Sequence, residues 1–163
     1  MSDLETDVQR LIDERDIRDL VARFANACSP PNPEAFARLW LPNAVNHPVW
    51  TLSEPFATIA TGNADIVALL LKLLAPWDFF VQLVHSGVVD INGHRATGRF
   101  IIREVAKGPD ETYYNNFAIY EDEYLKIDGT WYFGRRDYKY MFLDSGPFAG
   151  AICSPIAGWF GKN

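Results

Sequence analysis

The chain has 163 residues, 48% of them hydrophobic and 14% aromatic, and its 15 basic and 21 acidic side chains leave a net charge of −6. That length suits one domain of about 100–200 residues, expected here over 1–163, and the acid excess lacks the basic stripe that nucleic acids require. Two cysteines, Cys28 and Cys153, give no disulfide framework; the acidic start MSDLETDVQR has no signal-peptide region; and the most apolar helical stretch, 66–75, is short and holds Lys72, so a cytoplasmic chain without nucleic-acid or membrane partners is expected.

In chain order, Leu4, Val8, Leu11 and Ile12, then Ile17, Leu20, Val21 and Phe24, recur at helical steps. The pattern stops at Cys28-Ser29, where Pro30 and Pro31 forbid continuation. Asn32-Pro33-Glu34 reads as a cap with proline in the first turn of a second, short helix carrying Phe36, Leu39 and Trp40. Residues 44–50 read as a strand confined to an edge by Pro48, and 52–62 as a loop. Asn63 is the expected cap of a third helix, apolar nearly all round and therefore expected to be heavily buried.

Beyond Ala75-Pro76 the period changes to two, with strands expected over 79–91, 94–106, 113–127 and 130–143. Asn92-Gly93 and Asp128-Gly129 are hairpin turns. Residues 145–163 are rich in Gly, Pro and Ala yet keep Phe148, Trp159 and Phe160, so this tail is expected to pack on its own domain or on a neighbouring subunit. Helices first and antiparallel strands after give an α+β fold, three N-terminal helices packed on a curved, mostly antiparallel sheet. Such a half-closed sheet leaves a cavity between its concave face and the helices, the natural seat of a small hydrophobic molecule.

Alternation along 79–91 puts His85 on the otherwise apolar odd face, pointing inward. Two readings stay open there: a core histidine bonded to a carbonyl or water, or a general base in the cavity. On the next strand Glu104 follows the apolar even positions and is read as a solvated strand-end acid. Asn115 and Asn116 interrupt an aromatic run, and alternation turns one of them inward; Tyr120 shares the face of Asn116. Arg135 and Arg136 point to opposite faces, so one of them enters the cavity or pairs with a buried acid. No paired histidine spacing, CxxC, phosphate loop or GxSxG elbow is present, so neither metal nor cofactor is expected.

The segments Ile17-Arg18-Asp19-Leu20 with Phe24, Gln82-Leu83-Val84-His85, Asp90-Ile91-Asn92-Gly93 and Tyr120-Glu121-Asp122-Glu123-Tyr124, followed by Asp128-Gly129-Thr130-Trp131 and Arg136, resemble the SnoaL-like branch of the nuclear transport factor two-like superfamily. The resemblance covers about residues 5–144. It implies a cystatin-like α+β cone and a cofactor-free lyase, isomerase or hydratase acting on a small hydrophobic oxygenated ring compound. His85 falls where that family's strand histidine falls, so it would serve as base or acid. The family's partner aspartate is Ser29 here, which breaks the usual dyad. Another acid, Glu104 or Glu34, would then serve His85, or the cone would hold its ligand without turnover. Phe24, Ser29, Trp40, Asn116, Phe117, Tyr120 and Arg136 would contact the ligand, and the chain would form a dimer or trimer of itself.

Overall fold

A computed structural model describes residues 3–109 and 112–146. Helix α1 (Asp3–Ala27) ends where the prolines demand, and α2 (Pro33–Ala37) starts on Asn32, whose side chain accepts from the Ala35 amide at 3.0 Å. The short strands β1 (Val49–Leu52) and β2 (Thr58–Thr61) precede α3 (Asn63–Leu74). Four long strands follow: β3 (Phe79–Asn92), β4 (Arg95–Lys107), β5 (Tyr113–Ile127) and β6 (Thr130–Asp144). Their hairpin turns keep the expected glycines at positive φ, Gly93 at 60° and Gly129 at 82°, a region closed to most side chains.

All six strands form one sheet in the order β2-β1-β6-β5-β4-β3. Every neighbouring pair is antiparallel except β1 and β6, which run parallel. The fold is thus α+β, a mostly antiparallel open sheet with helices packed on it. Two expectations change here. The first strand starts at Val49, because Pro48 has no N–H to give a ladder, and the expected loop contains β2, a four-residue partner that completes a hairpin with β1.

The core lies between the helices and one face of the sheet. Helix α1 contributes Ile17, Leu20, Val21 and Phe24, whereas Leu4, Val8 and Leu11 in its early turns are exposed. Helix α3 buries Ile66, Leu69, Leu70 and Leu74 and leaves Leu71 in water, so it is one-sided and not buried all round. Phe24 stands at the centre of an aromatic cluster, its ring 4.9 Å from Phe36, 5.7 Å from Trp50 and 5.5 Å from Tyr120. Near the other end of the sheet the buried Asp13 carboxylate takes hydrogen bonds from Lys126 at 2.6 Å and Trp131 at 3.0 Å, fastening α1 to the β5–β6 hairpin. The apolar tail beyond residue 146 lies outside the described residues.

Bulges decide which residues face the core. In β3, His85 and Ser86 stand opposite the single residue Ile101, so the alternation slips by one. Phe80, Gln82 and Val84 face inward before the slip, and Gly87, Val89 and Ile91 after it. The ring of Phe100 occupies the space above Gly87. A second slip at Gly134 lets Trp131 and Phe133 share the inner face with Arg136, Tyr138 and Tyr140.

Candidate active site

Between α3 and the inner face of the sheet lies a cavity of about 520 Å³. Its apolar walls come from Leu70, Leu73 and Leu74 of α3, with Trp77, Phe80, Trp50 and Leu52. Its polar end is built by Gln82, Glu104, Tyr114, Tyr120, Tyr138 and Tyr140. The exposed Lys72 is the cationic side chain among these lining residues.

The polar end arises from strand register. Gln82, Glu104 and Asn116 are directly opposite one another across β3, β4 and β5, forming one row on the inner face. All three are buried. Glu104 accepts from Gln82 Nε2 at 2.6 Å on Oε1; on Oε2 it accepts from Tyr138 Oη at 2.6 Å, Tyr114 Oη at 3.2 Å and Asn116 Nδ2 at 3.3 Å. Asn116 also donates to the hydroxyls of Tyr138, at 2.7 Å, and Tyr114. A carboxylate offers about four acceptor positions. Oε2 is therefore fully used, while Oε1 serves one donor and keeps room for another.

Glu104 also differs from the other buried acids. Asp13 has Lys126 and Asp122 has Arg136, but no cation pairs with Glu104 among the described residues. Burial raises the affinity of its carboxyl for a proton, against the pull of the Tyr138, Gln82, Asn116 and Tyr114 hydrogen bonds. A carboxyl so placed, at the end of an apolar hollow, is equipped to take and return a proton.

Tyr120 is the neighbour of this acid. The same Gln82 Nε2 that binds Glu104 also donates to Tyr120 Oη, at 3.2 Å. No acceptor for the Tyr120 proton is present among the described residues. Behind its ring lies the Arg136 guanidinium, 3.6 Å from the ring centroid and held by two hydrogen bonds to Asp122 at 2.8 and 3.0 Å. Burial pushes the Tyr120 hydroxyl to higher pKa, and the Arg136 charge acts in the opposite sense.

Of the residues singled out from sequence, Phe24 and Tyr120 line the cavity, and Asn116 supports its acid from behind. Five others, His85, Phe117, Trp40, Arg136 and Ser29, stand elsewhere. His85 is exposed on the β3 bulge, outside the cavity lining, and makes no hydrogen bond or ion pair among the described residues. The slip in alternation turned its strand face over, so the inward orientation expected for it does not hold. Phe117 points to the opposite side of the sheet, beneath Arg103 and 6.4 Å from Phe142. Trp40 is buried in the aromatic cluster rather than at the cavity, 5.3 Å from Phe133. Arg136 is wholly buried against Asp122 and three aromatic rings, so it pairs with a buried acid and stays out of the cavity lining.

Ser29 is half-buried just past α1, with its hydroxyl unpartnered among the described residues, and is not part of the cavity lining; its neighbour Cys28 is. Glu34 is exposed on α2. Glu104, expected in water at a strand end, is instead the buried centre of the site, because β4 and β5 pair past it to Lys107 and Tyr113 and cover it. Gln82, Tyr114, Tyr138 and Tyr140 were not foreseen. Their signal is a set of polar or hydroxylated residues on inner-face positions of adjacent strands, readable only once the register is known.

A family model described as a SnoaL-like domain matches residues 9–137. The chain belongs to the SnoaL-like family. Solved structures place this SnoaL-like protein among cystatin-fold neighbours. Hexachlorocyclohexane dehydrochlorinase LinA-type3 from Novosphingobium barchaimii LL02 is 18% identical, with a TM-score of 0.77 over 92% of this chain and 99% of that one. A scytalone dehydratase-like protein from Novosphingobium aromaticivorans DSM 12444 is 18% identical, with a TM-score of 0.73 over 91% and 95% of the two chains. An NTF2-like protein with a cystatin-like fold, also from Novosphingobium aromaticivorans DSM, is 20% identical with a TM-score of 0.72, covering 86% of this chain and 90% of that one. No curated protein matched the chain. At these identities the likeness establishes the fold of the SnoaL-like chain. Among its described residues no helix is long and apolar enough to cross a membrane.

Proposed function

We propose that this SnoaL-like protein is a cofactor-free lyase or isomerase acting on a small, hydrophobic, oxygenated ring compound bound in the cavity, with Glu104 as its general base and acid. The observation that carries this reading is Glu104 itself, buried, without a cation partner, and set where one carboxylate oxygen can still accept at the end of an apolar hollow. Burial raises the pKa of such a group toward the working range of an acid–base catalyst. The dehydrochlorinase and the scytalone dehydratase-like neighbour, whose names denote eliminations, support the same class.

The test is proton abstraction from a simple carbon acid. The protein is incubated with 2-tetralone in deuterium oxide, and loss of the α-proton signal is followed by NMR. We expect exchange faster than in buffer, and loss of that acceleration in Glu104→Gln.

A second reading is a binding module without turnover, favoured by Ser29 at the family's acid position and by the exposure of His85. It is supported if 2-tetralone quenches the fluorescence of Trp50 and Trp77, which line the cavity, while its protons exchange no faster than in buffer.

A further inference from the structure

We infer that Tyr120 is the second catalytic residue, the hydrogen-bond donor to a substrate carbonyl oxygen, and that the substrate is an uncharged carbonyl compound with a C–H bond beside the carbonyl. This rests on the reading of Glu104 as the base and names the chemistry of the same site.

The argument is geometric. Gln82 Nε2 lies between the two groups, 2.6 Å from Glu104 Oε1 and 3.2 Å from Tyr120 Oη. On one side of that amide is an oxygen with spare capacity to accept. On the other is a hydroxyl whose proton has no acceptor among the described residues, although Tyr120 is 1% exposed and lines the cavity. A buried donor left without a partner is costly, and its natural acceptor is the ligand. Among the other phenols named at the polar end, Tyr138 donates to Glu104 and Tyr114 lies between Glu104 and Tyr140, while Tyr140, which also donates to no described group, reaches the acid only through Tyr114. Tyr120 is thus the donor available to a ligand oxygen next to the base.

Arg136 completes the arrangement. Its guanidinium stacks on the Tyr120 ring face and favours negative charge growing on whatever that hydroxyl contacts. Asp122 holds it there through two hydrogen bonds, so the charge is fixed before any ligand arrives. The substrate is uncharged because the cation behind this end, Arg136, is already paired with Asp122, and among the described residues no other cation at this end offsets a ligand carboxylate or phosphate.

The step balances without a co-reactant. The C–H bond beside the carbonyl breaks and its proton passes to Glu104 Oε1. The electron pair becomes the C=C bond of an enolate, whose oxygen keeps the hydrogen bond from Tyr120. Return of the proton from Glu104 to the same or a conjugated carbon restores the carbonyl compound.

The experiment uses 2-tetralone as the probe, with tetralin as the same frame lacking the carbonyl, on wild type, Tyr120→Phe and Glu104→Gln. Tyr120→Phe keeps the ring that packs against Phe24 and Tyr138 and removes only the hydroxyl. We expect its α-proton exchange to fall about 100-fold, with kcat falling more than KM rises, the loss typical for one oxyanion donor. The infrared carbonyl stretch of bound 2-tetralone should lie below its value in hydrocarbon solvent for wild type and Glu104→Gln, and return to it in Tyr120→Phe. The wild-type stretch, and tighter binding of 2-tetralone than tetralin, read the donor without any variant. The inference is overturned if the wild-type stretch is unshifted, or if Tyr120→Phe exchanges at the wild-type rate while Glu104→Gln does not. Absence of exchange by the wild type removes the reading of Glu104 and this inference together.

Discussion

Gly87 lies directly under the ring of Phe100: a Cβ built on the glycine would stand 2.1 Å from Phe100 Cδ1. The ring is itself 2% exposed and held by the core. Gly87→Ala therefore forces either the ring or the β3 bulge to move. We expect a loss of about 1–3 kcal/mol, the usual cost of overpacking, read as a lower urea midpoint with unchanged slope. An unchanged midpoint would show that the bulge yields freely.

The buried acid makes a signed contribution to stability against pH. The folded-state pKa of Glu104 lies above its ordinary value of 4.5. The folded chain therefore holds this proton more tightly than the unfolded chain. The resulting stabilisation is complete below pH 4.5 and is lost as pH rises through the folded value. Glu104→Gln removes that loss, so its melting temperature relative to wild type should climb from pH 4.5 toward neutrality. A constant difference across that range would show that Glu104 ionises as it does in water.

The Asp122–Arg136 pair, with both side chains at 0% exposure, should be strongly non-additive. Arg136→Met leaves a charged acid buried alone and should cost about 3–5 kcal/mol. Adding Asp122→Leu removes the orphaned charge, so the double variant should be more stable than Arg136→Met. A double-mutant cycle by urea unfolding measures the difference; additive losses would contradict a direct pair.

His85 provides the opposite expectation. Exposed and without bonding partners among the described residues, its replacement in His85→Ala should shift stability by no more than about 0.5 kcal/mol. The 2-tetralone exchange rate should also persist. Loss of exchange in His85→Ala with binding retained would return the histidine to the site.

The sequence revealed the fold through features that repeat. Asn92-Gly93 and Asp128-Gly129 set both long hairpins, Pro30-Pro31 ended α1, and the switch of period after Pro76 separated helix from sheet. It missed β2 because four residues, Thr58 to Thr61, are too few to show a period. It misplaced His85 for a different reason. Alternation is a local rule, and a single bulge reverses it without leaving a mark in composition. It undervalued Glu104 because burial at that position is supplied by β3 and β5, whose register is a property of the assembled sheet. Phe24 and Tyr120 reach the cavity, and Asn116 its acid, because α1 and β5 keep their periods through these positions.

The cavity has a division of origin that bears on how it can change. Its acid and phenols sit on β4 to β6, locked by register and by one another. Its aliphatic ceiling, Leu70, Leu73 and Leu74, belongs to a single helix bracketed by Gly62 and Pro76. Substitutions in that ceiling reshape the volume offered to a guest while the reactive floor stays as it is, so new guests are reached by exchanging leucines and not by rebuilding the chemistry.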